Sequence, residues 1–359
     1  MQRERCVQAS PLELREILAH FGGIMKRLAH IALALALTFG AHAAIQRDPA
    51  DLLNASREAF ESRDYDKASK LLSDAIQGNP KLTPAYILRG LAYAAKDRLD
   101  DALADFSKAI SLTPTDERPF ILRAAVFQQK KDYDKAIADY TQALNRKPDA
   151  VDLMLDRGLC YASKEDDDKA LEDFNRAVQR EPKNTRALQL RGSAYSQKGN
   201  GEKALADFSE AIAINANDPV TYLFRSQHYL VDNQPEKGLA DLEEVMRRAP
   251  NYSGAANDYA WTLATNPKDS IRDGHKAVEY AKKACHGTDY KYPPSLDTLA
   301  AAHAEAGEWD DAVKWQTEAA TLAEKTHPED VKGMKERLAL FKDKKAFREI
   351  PKREKKEKK

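Results

Sequence analysis

The sequence has no excess of charge of either sign and little cysteine. Its 359 residues include 57 Lys and Arg against 57 Asp and Glu, so the formal net charge at pH 7 is zero. Proteins that bind nucleic-acid phosphates usually carry a net basic charge, so composition gives no indication of such a partner. Three cysteines are too few for a disulfide framework. Stability must therefore come from packing.

Glycine, proline and catalytic motifs are also sparse. The 15 Gly and 16 Pro together fall below the roughly 12 % of an average chain, which favours helix. The sequence contains no Cys-x-x-Cys, no His-Glu-x-x-His, no glycine-rich phosphate loop and no Gly-x-Ser-x-Gly. We therefore expect a protein that is not an enzyme and that needs neither a metal nor a cofactor.

The one long apolar stretch lies near the amino terminus and resembles an export signal. Met25-Lys26-Arg27 precedes the apolar stretch 28–39, and Ala41-His42-Ala43 follows it. A basic start, a short apolar core and a small-x-small site are typical of a secretory signal peptide. The stretch is shorter than the roughly 20 residues that span a bilayer. We predict a signal peptide at 25–43, cleavage after Ala43, and a periplasmic or secreted protein; residues 1–24 then form an upstream extension from a mis-assigned start.

The rest of the chain repeats with a period of 34 residues. Leu88–Tyr93 falls into register with residues 122–127 and 190–195, and Ala102, Phe106 and Ala109 recur at the same interval. We number each unit from 1 to 34, with position 1 at Thr83 and at every 34th residue from Pro49 to Ser253, and at Pro293 in the last unit. Positions 4, 8 and 11 are then spaced i, i+4, i+7, as are positions 20, 24 and 27, and each set forms one helical face. Proline at position 32 stops the second helix. Each unit is thus a helical hairpin that buries its apolar face only by stacking on its neighbours.

This pattern of small and aromatic residues at positions 8, 11, 20, 24 and 27 resembles the tetratricopeptide repeat. The resemblance implies an all-α fold, a right-handed superhelix of about eight stacked antiparallel helix hairpins. Six regular units would cover 49–252, and two divergent units 253–325, the seventh carrying an insertion near 266–273. A carboxyl-terminal helix at 326–341 and a basic, disordered tail at 342–359 would follow; the tail holds ten basic and four acidic residues.

Five consecutive units carry an arginine at position 7 and an aspartate at position 23. In a hairpin that turns near position 15 these two positions face each other, and units that lack one residue also lack the other. We therefore predict structural ion pairs, and favour them over an arginine ladder for an anionic ligand because the aspartates would neutralise it. The predicted pairs are Arg89 with Asp105, Arg123 with Asp139, Arg157 with Asp173, Arg191 with Asp207 and Arg225 with Asp241.

The resemblance also implies a concave groove lined by positions 2, 5, 9, 12 and 13 of each first helix. Positions 5 and 9 are mostly apolar in units two to four, and Leu223 continues the stripe. These residues would either hold a partner or pack between units. The partner-binding candidates are Ile87, Leu91, Ile121, Leu155, Leu159 and Leu223.

The sequence thus predicts an exported, non-catalytic scaffold that holds a protein or an extended peptide in its groove. The alternative is a non-catalytic subunit or stabiliser of a cell-envelope enzyme or polysaccharide complex, bound through the insertion and the basic tail. Nucleic acid and a membrane span after signal cleavage are not expected. For the tail, a solvated terminus is favoured over an electrostatic contact with an anionic surface.

Export can be tested directly. A tagged chain that begins at Met25 should reach the periplasm or medium and lose about two kilodaltons, because 19 residues of about 0.11 kilodalton each are removed. Immunoblots of fractionated cells measure both quantities. Retention of the uncleaved chain in the cytoplasm would contradict the prediction.

Overall fold

The computed structural model describes residues 48–349, and within this range all regular structure is helical. Seventeen α-helices and one 3₁₀ turn are present in this range, with no strand. The predicted signal peptide, the residues upstream of it and residues 350–359 of the tail lie outside the described residues. The all-α prediction is confirmed.

The helices alternate with short turns and form eight hairpins followed by one more helix. Their bounds are α1 Pro49–Glu61, α2 Tyr65–Gly78, α3 Thr83–Ala95, α4 Leu99–Leu112, α5 Arg118–Gln129, α6 Tyr133–Arg146, α7 Val151–Ser163, α8 Asp167–Arg180, α9 Thr185–Gln197, α10 Gly201–Ile214, α11 Pro219–Val231, α12 Pro235–Arg248, α13 Ser253–Thr265, α14 Gly274–His286, α15 Pro293–Glu305, α16 Trp309–Thr326 and α17 Val331–Lys342.

Contacts divide the described residues into two units, one up to Ala194 and one from Tyr195 onward, so that the division falls within α9. In the first unit, helices α1 to α8 each pack on the next along the chain, and α3 also contacts α5. In the second unit, α10 to α17 also pack on one another in chain order, and α13 also contacts α15. Successive first helices thus touch in both units.

Position 15 is where each hairpin reverses, and it has the same backbone conformation in seven of them. Its φ is positive, between 58° and 79°, at Arg63, Asp97, Lys131, Glu165, Gly199, Asn233 and Gly307. The amide of the next residue then donates to the carbonyl of position 11, as from Asp132 to Phe127 at 2.8 Å. Several of these next residues also cap the second helix: Asp64, Asp132, Asp166 and Asn200 each accept a backbone N–H three residues on.

Small and large residues interlock inside each hairpin. Position 8 is small where the aromatic at position 24 of the second helix crosses it. At Gly158, an added Cβ would lie 2.5 Å from the Phe174 ring, far inside van der Waals contact. Phe174 is 2 % exposed, and Ala170 and Ala177 beside it are fully buried. The close approach of the two helices therefore depends on the small residue, as the repeat pattern predicts.

The seventh hairpin keeps its closure despite the inserted residues. The segment between α13 and α14 contains the short turn Asp269–Ile271, in which Ile271 is buried. Asp273 N–H donates to the carbonyl of Leu263 at 3.1 Å, and Leu263 occupies position 11. The Arg272 side chain donates to Glu305 of α15 at 2.8 Å and to the carbonyl of Asn266 at 2.9 Å. The insertion is thus braced against the eighth hairpin.

The described chain continues beyond its last helix. The last helix, α17, ends at Lys342, and residues 343–349 continue without helix or strand. The predicted tail includes this segment, in which Phe347, Arg348 and Glu349 each contact a residue of α13 or α15. We call residues 343–349 the terminal segment.

Within residues 48–349, no helix is long and apolar enough to cross a bilayer.

The turn conformation predicts the effect of a substitution at Gly199, whose φ is +79° and whose missing Cβ would meet no atom within 4 Å. Gly199→Ala should lower the free energy of unfolding by about 1 kcal/mol, because a residue with a Cβ is disfavoured at positive φ. Denaturant unfolding measures the loss. Gln197→Ala, exposed at the end of α9, is the control and should change the value by less than about 0.5 kcal/mol. An equal effect of the two changes would contradict the prediction.

Candidate functional site

The residues at positions 7 and 23 meet inside the hairpins of the first unit. Each arginine makes two parallel hydrogen bonds to its aspartate, through Nε and Nη2. For Arg157 and Asp173 these distances are 2.8 and 2.7 Å, and the Asp173 side chain is 2 % exposed. The hydrogen bond to Asp173 raises the pKa of Arg157. The same two-point contact, with N···O distances of 2.7 to 2.9 Å, joins Arg89 to Asp105 and Arg123 to Asp139.

The same arginines also reach back to the preceding hairpin. Arg157 Nη1 donates to Thr141 Oγ1 at 3.0 Å, and Thr141 lies at position 25 of the unit before. Equivalent bonds run from Arg89 to Ser73 and from Arg123 to Ser107, at 3.0 and 2.9 Å. One guanidinium therefore ties its own hairpin together and ties that hairpin to the previous one.

The two remaining pairs lie at and beyond the division between the units. Arg191 Nη1 contacts Asn175 Oδ1 at 3.5 Å within the first unit. In the second unit Asp207 is 4 % exposed, and Arg225 makes the two-point contact with Asp241 at 2.8 and 2.7 Å. The hydrogen bond to Asp241 raises the pKa of Arg225.

Where the arginine is missing, the seventh hairpin replaces it with an aromatic pair. Tyr259 at position 7 lies against Tyr280, with ring centroids 4.6 Å apart. The Tyr259 hydroxyl donates to Glu243 Oε1 at 2.6 Å, and Glu243 is at position 25 of the hairpin before. Burial, with a smaller contribution from Glu243, raises the pKa of Tyr259 to about 12. The link from position 7 to the preceding position 25 is kept although the ion pair is gone.

The candidate groove residues are mostly inaccessible. Ile87, Leu91 and Leu155 are at most 3 % exposed in the first unit, and Leu223 is 3 % exposed in the second. Ile121 and Leu159 are half-buried. At these positions, therefore, only Ile121 and Leu159 present an apolar surface that a partner can reach without rearrangement.

In the second unit, the terminal segment lies against the first helices of the last two hairpins. Trp261 Nε1 donates to Glu349 Oε2 at 2.7 Å, and the Trp261 and Phe347 rings are 5.9 Å apart. Glu349 N–H donates to the carbonyl of Thr265 at 2.8 Å. Arg348 Nη2 lies 2.7 Å from Glu305 Oε2. Trp261 occupies position 9, while Thr265 and Glu305 occupy position 13; we call these three residues the terminal face.

Helix α17 is held to the same face by a buried ion pair. Arg337 donates to both Asp297 carboxylate oxygens at 2.7 and 2.6 Å, and both side chains are less than 10 % exposed. Gln316 Nε2 also donates to Asp297, at 2.7 Å. The Arg337 guanidinium lies 5.6 Å from the Trp261 ring centroid and 5.4 Å from that of Phe347.

The comparisons with known proteins agree with this repeat geometry. The tetratricopeptide-repeat family profile matches residues 53–117, 122–185 and 168–219. These residues belong to the tetratricopeptide-repeat family. No curated protein matches its sequence.

Several solved structures share the fold. A tetratricopeptide-repeat protein from Parabacteroides merdae ATCC 43184 aligns with a TM-score of 0.59 and 20 % identity, over 71 % of this chain and 98 % of that one. The Cut9–Hcn1 hetero-tetramer of the APC/C aligns with a TM-score of 0.52 and 16 % identity, over 72 % and 49 %. At these identities the likeness shows the fold alone.

One trio of metal-binding residue types is close together among residues 48–349. The donor atoms of His303, Glu308 and Asp311 lie within 4.8 Å of one another. His303 is buried, and its Nδ1 lies 2.5 Å from Glu308 Oε2. Glu308 N–H also donates to the His303 carbonyl. The contact thus closes the turn of the eighth hairpin. His303 occupies position 11, where the second to sixth hairpins have an aromatic residue.

The two described cysteines have no feature of a reactive site. Cys160 and Cys285 are fully buried free thiols. Burial raises the pKa of each to about 12, which leaves almost no thiolate at neutral pH.

Sequence reasoning missed two sets of residues, although the repeat could have revealed both. Polar residues recur at position 25, sixteen residues before each position-7 residue: Ser73, Ser107, Thr141, Asn175 and Glu243. Trp261, Asp297 and Gln316 break the pattern at positions 9, 5 and 24. In this repeat protein the breaks mark where α17 and the terminal segment attach.

A double-mutant cycle tests the ion pair in the middle of the first unit. Arg157→Ala should lower the free energy of unfolding by roughly 1 to 3 kcal/mol, because it leaves the Asp173 carboxylate buried without its partner. Combining it with Asp173→Ala should cost less than the two single changes summed. Lys164→Ala, which removes only an exposed contact with Asp134, should cost less than about 1 kcal/mol. Additive effects at residues 157 and 173 would show that the pair contributes no coupling.

Proposed function

We propose that this tetratricopeptide-repeat protein is an exported, non-catalytic scaffold that holds a protein or an extended peptide along its first-helix faces. The repeat family and fold support a protein-interaction scaffold. The export part of the proposal rests on the signal-like stretch at 25–43.

The observation that carries the proposal is the terminal segment. In this segment without regular secondary structure, Phe347, Arg348 and Glu349 contact positions 9 and 13 of α13 and position 13 of α15 through a ring contact, an ion pair and hydrogen bonds. First-helix faces of this chain are therefore able to receive an extended segment. The recognition of extended segments by side-chain pockets and main-chain hydrogen bonds is common among protein-interaction modules.

In the first unit, the charges at position 7 support a structural role. Arg89, Arg123 and Arg157 use their guanidinium groups on an aspartate and on a hydroxyl of the preceding hairpin. Recognition by this unit would then fall to the half-buried Ile121 and Leu159 and to polar neighbours such as the exposed Gln129 and Ser163. We expect a partner with an apolar residue flanked by hydrogen-bonding groups.

Ile121→Gln with Leu159→Gln tests this assignment. The double variant should lose capture of the partner from a cell-envelope extract while its circular dichroism melt stays near that of the wild type, because both side chains are already partly in water. The control is Lys108→Gln with Glu172→Gln, both exposed on second helices, which should capture normally. Leu91→Glu should instead unfold the second hairpin, since Leu91 is 3 % exposed and a buried unpaired charge is costly.

Capture that survives in the Ile121 and Leu159 variant with an unchanged melt would overturn the groove assignment. Capture of one enzyme in a stoichiometric amount, by the wild type and by this variant alike, would favour the alternative, a subunit or stabiliser of an envelope complex.

A further inference from the structure

The terminal segment contacts the terminal face in the manner of a bound peptide. Phe347 and Glu349 both contact Trp261, whereas Arg348 between them contacts Glu305. Alternate side chains of an extended chain point to opposite sides, and the partners follow this alternation. The backbone participates as well, because Glu349 N–H donates to the Thr265 carbonyl. Three successive residues are therefore recognised individually.

The Thr265 carbonyl explains why a peptide backbone is suited to this place. Thr265 is the last residue of α13, and carbonyls in the last turn of a helix have no partner within that helix. With the segment in place Thr265 is 1 % exposed, and the Glu349 N–H gives its carbonyl a donor. An extended segment supplies the N–H at the correct place.

Most contacts of the segment are separate from the ion pair that anchors the helix before it. Helix α17 is anchored by the buried contact of Arg337 with Asp297, and the chain reverses just after this helix at Lys344, whose φ is +54°. The terminal segment itself has one backbone and one side-chain hydrogen bond to α13, ring contacts of Phe347 with Trp261 and Arg337, and an ion pair whose arginine is 37 % exposed. Segments with few buried contacts open at low free-energy cost. It can therefore leave the terminal face while α17 stays in place.

We propose that the terminal face is a binding site for an extended protein segment in which an aromatic, a basic and an acidic residue follow one another, and that Phe347, Arg348 and Glu349 occupy this site in cis until such a segment displaces them. The aromatic residue stacks near Trp261, the basic residue pairs with Glu305, and the acidic residue accepts from Trp261 Nε1. This inference rests on the proposed function in requiring a first-helix face to hold an extended segment, but it concerns a different unit and a defined ligand.

Direct binding of a labelled peptide tests the proposal on the full chain. The probe is fluorescein-labelled Asp-Lys-Lys-Ala-Phe-Arg-Glu, the sequence of residues 343–349, amidated at its carboxyl end. Phe347→Ala with Arg348→Ala should empty the site, and this variant should bind the probe at least tenfold more tightly than the wild type. The factor follows if the cis segment fills the site more than nine-tenths of the time, because apparent affinity scales with the open fraction.

Two controls separate the site from non-specific binding. Lys345→Ala changes an exposed side chain of the same segment and should bind the probe as weakly as the wild type does. Adding Glu305→Gln to the emptied variant should weaken probe binding at least tenfold, and a probe with alanine in place of its Phe and Arg should not bind. Circular dichroism melts establish whether each variant is folded. If the double variant is unfolded, Arg348→Ala alone is used as the emptied variant.

The proposal is overturned if the emptied variant binds the probe no better than the wild type, or if Glu305→Gln leaves binding unchanged. A wild-type dimer that disappears with Phe347→Ala would also overturn it, by assigning the site to the tail of a second copy. Because the probe is synthetic and its site lies in the last two hairpins, none of these results depends on the envelope partner or on Ile121 and Leu159.

Discussion

The hydrogen bonds of the guanidinium at position 7 are the interaction that sets how a hairpin is oriented and how it sits on the hairpin before it. Hydrophobic burial favours any close packing of helices, and it specifies register weakly because it is non-directional. A planar guanidinium that bonds both oxygens of one aspartate has a fixed geometry. In Arg157 the remaining nitrogen contacts Thr141 of the preceding hairpin, so the fork that orients one hairpin also positions it on its neighbour.

Tyr259 shows that the link to the preceding hairpin is separable from the ion pair. Its ring packs on Tyr280 where the aspartate would be, and its hydroxyl bonds Glu243 at position 25 of the preceding hairpin. The ion pair within the hairpin has become an apolar contact, yet the bond between hairpins persists. A buried ion pair can be replaced by well-packed apolar groups at little cost in stability, whereas a buried polar group without a partner is costly. The retained contact thus satisfies the hydroxyl of Tyr259, a residue that is buried, whereas Glu243 on the neighbouring hairpin is exposed.

The period of 34 residues predicted the helices, the turn near position 15 and the facing of positions 7 and 23, because each of these depends on local spacing repeated many times. It did not predict the accessibility of the groove candidates. Ile87 and Ile121 have the same character and the same position in the repeat, yet Ile87 is fully buried and Ile121 is half-buried. The contact between Trp261 and Glu349 joins residues 88 positions apart and occurs once, so no periodicity could reveal it.

The end of the array shows how a non-repeating element can complete a repeating one. Among residues 48–349, helix α17 rather than a further hairpin follows the last hairpin, and the composition of that hairpin differs from that of the regular units. Asp297 stands where apolar residues stand in units two to four, and Gln316 where aromatics stand. Both side chains are buried and bonded to each other, and Asp297 also to Arg337 of α17. These polar residues would be costly inside an ordinary hairpin, because nothing there would satisfy them. Here Arg337 of α17 satisfies Asp297. The exceptions to the repeat pattern thus indicate where α17 attaches, and the terminal segment that follows α17 reaches Trp261 and Glu305.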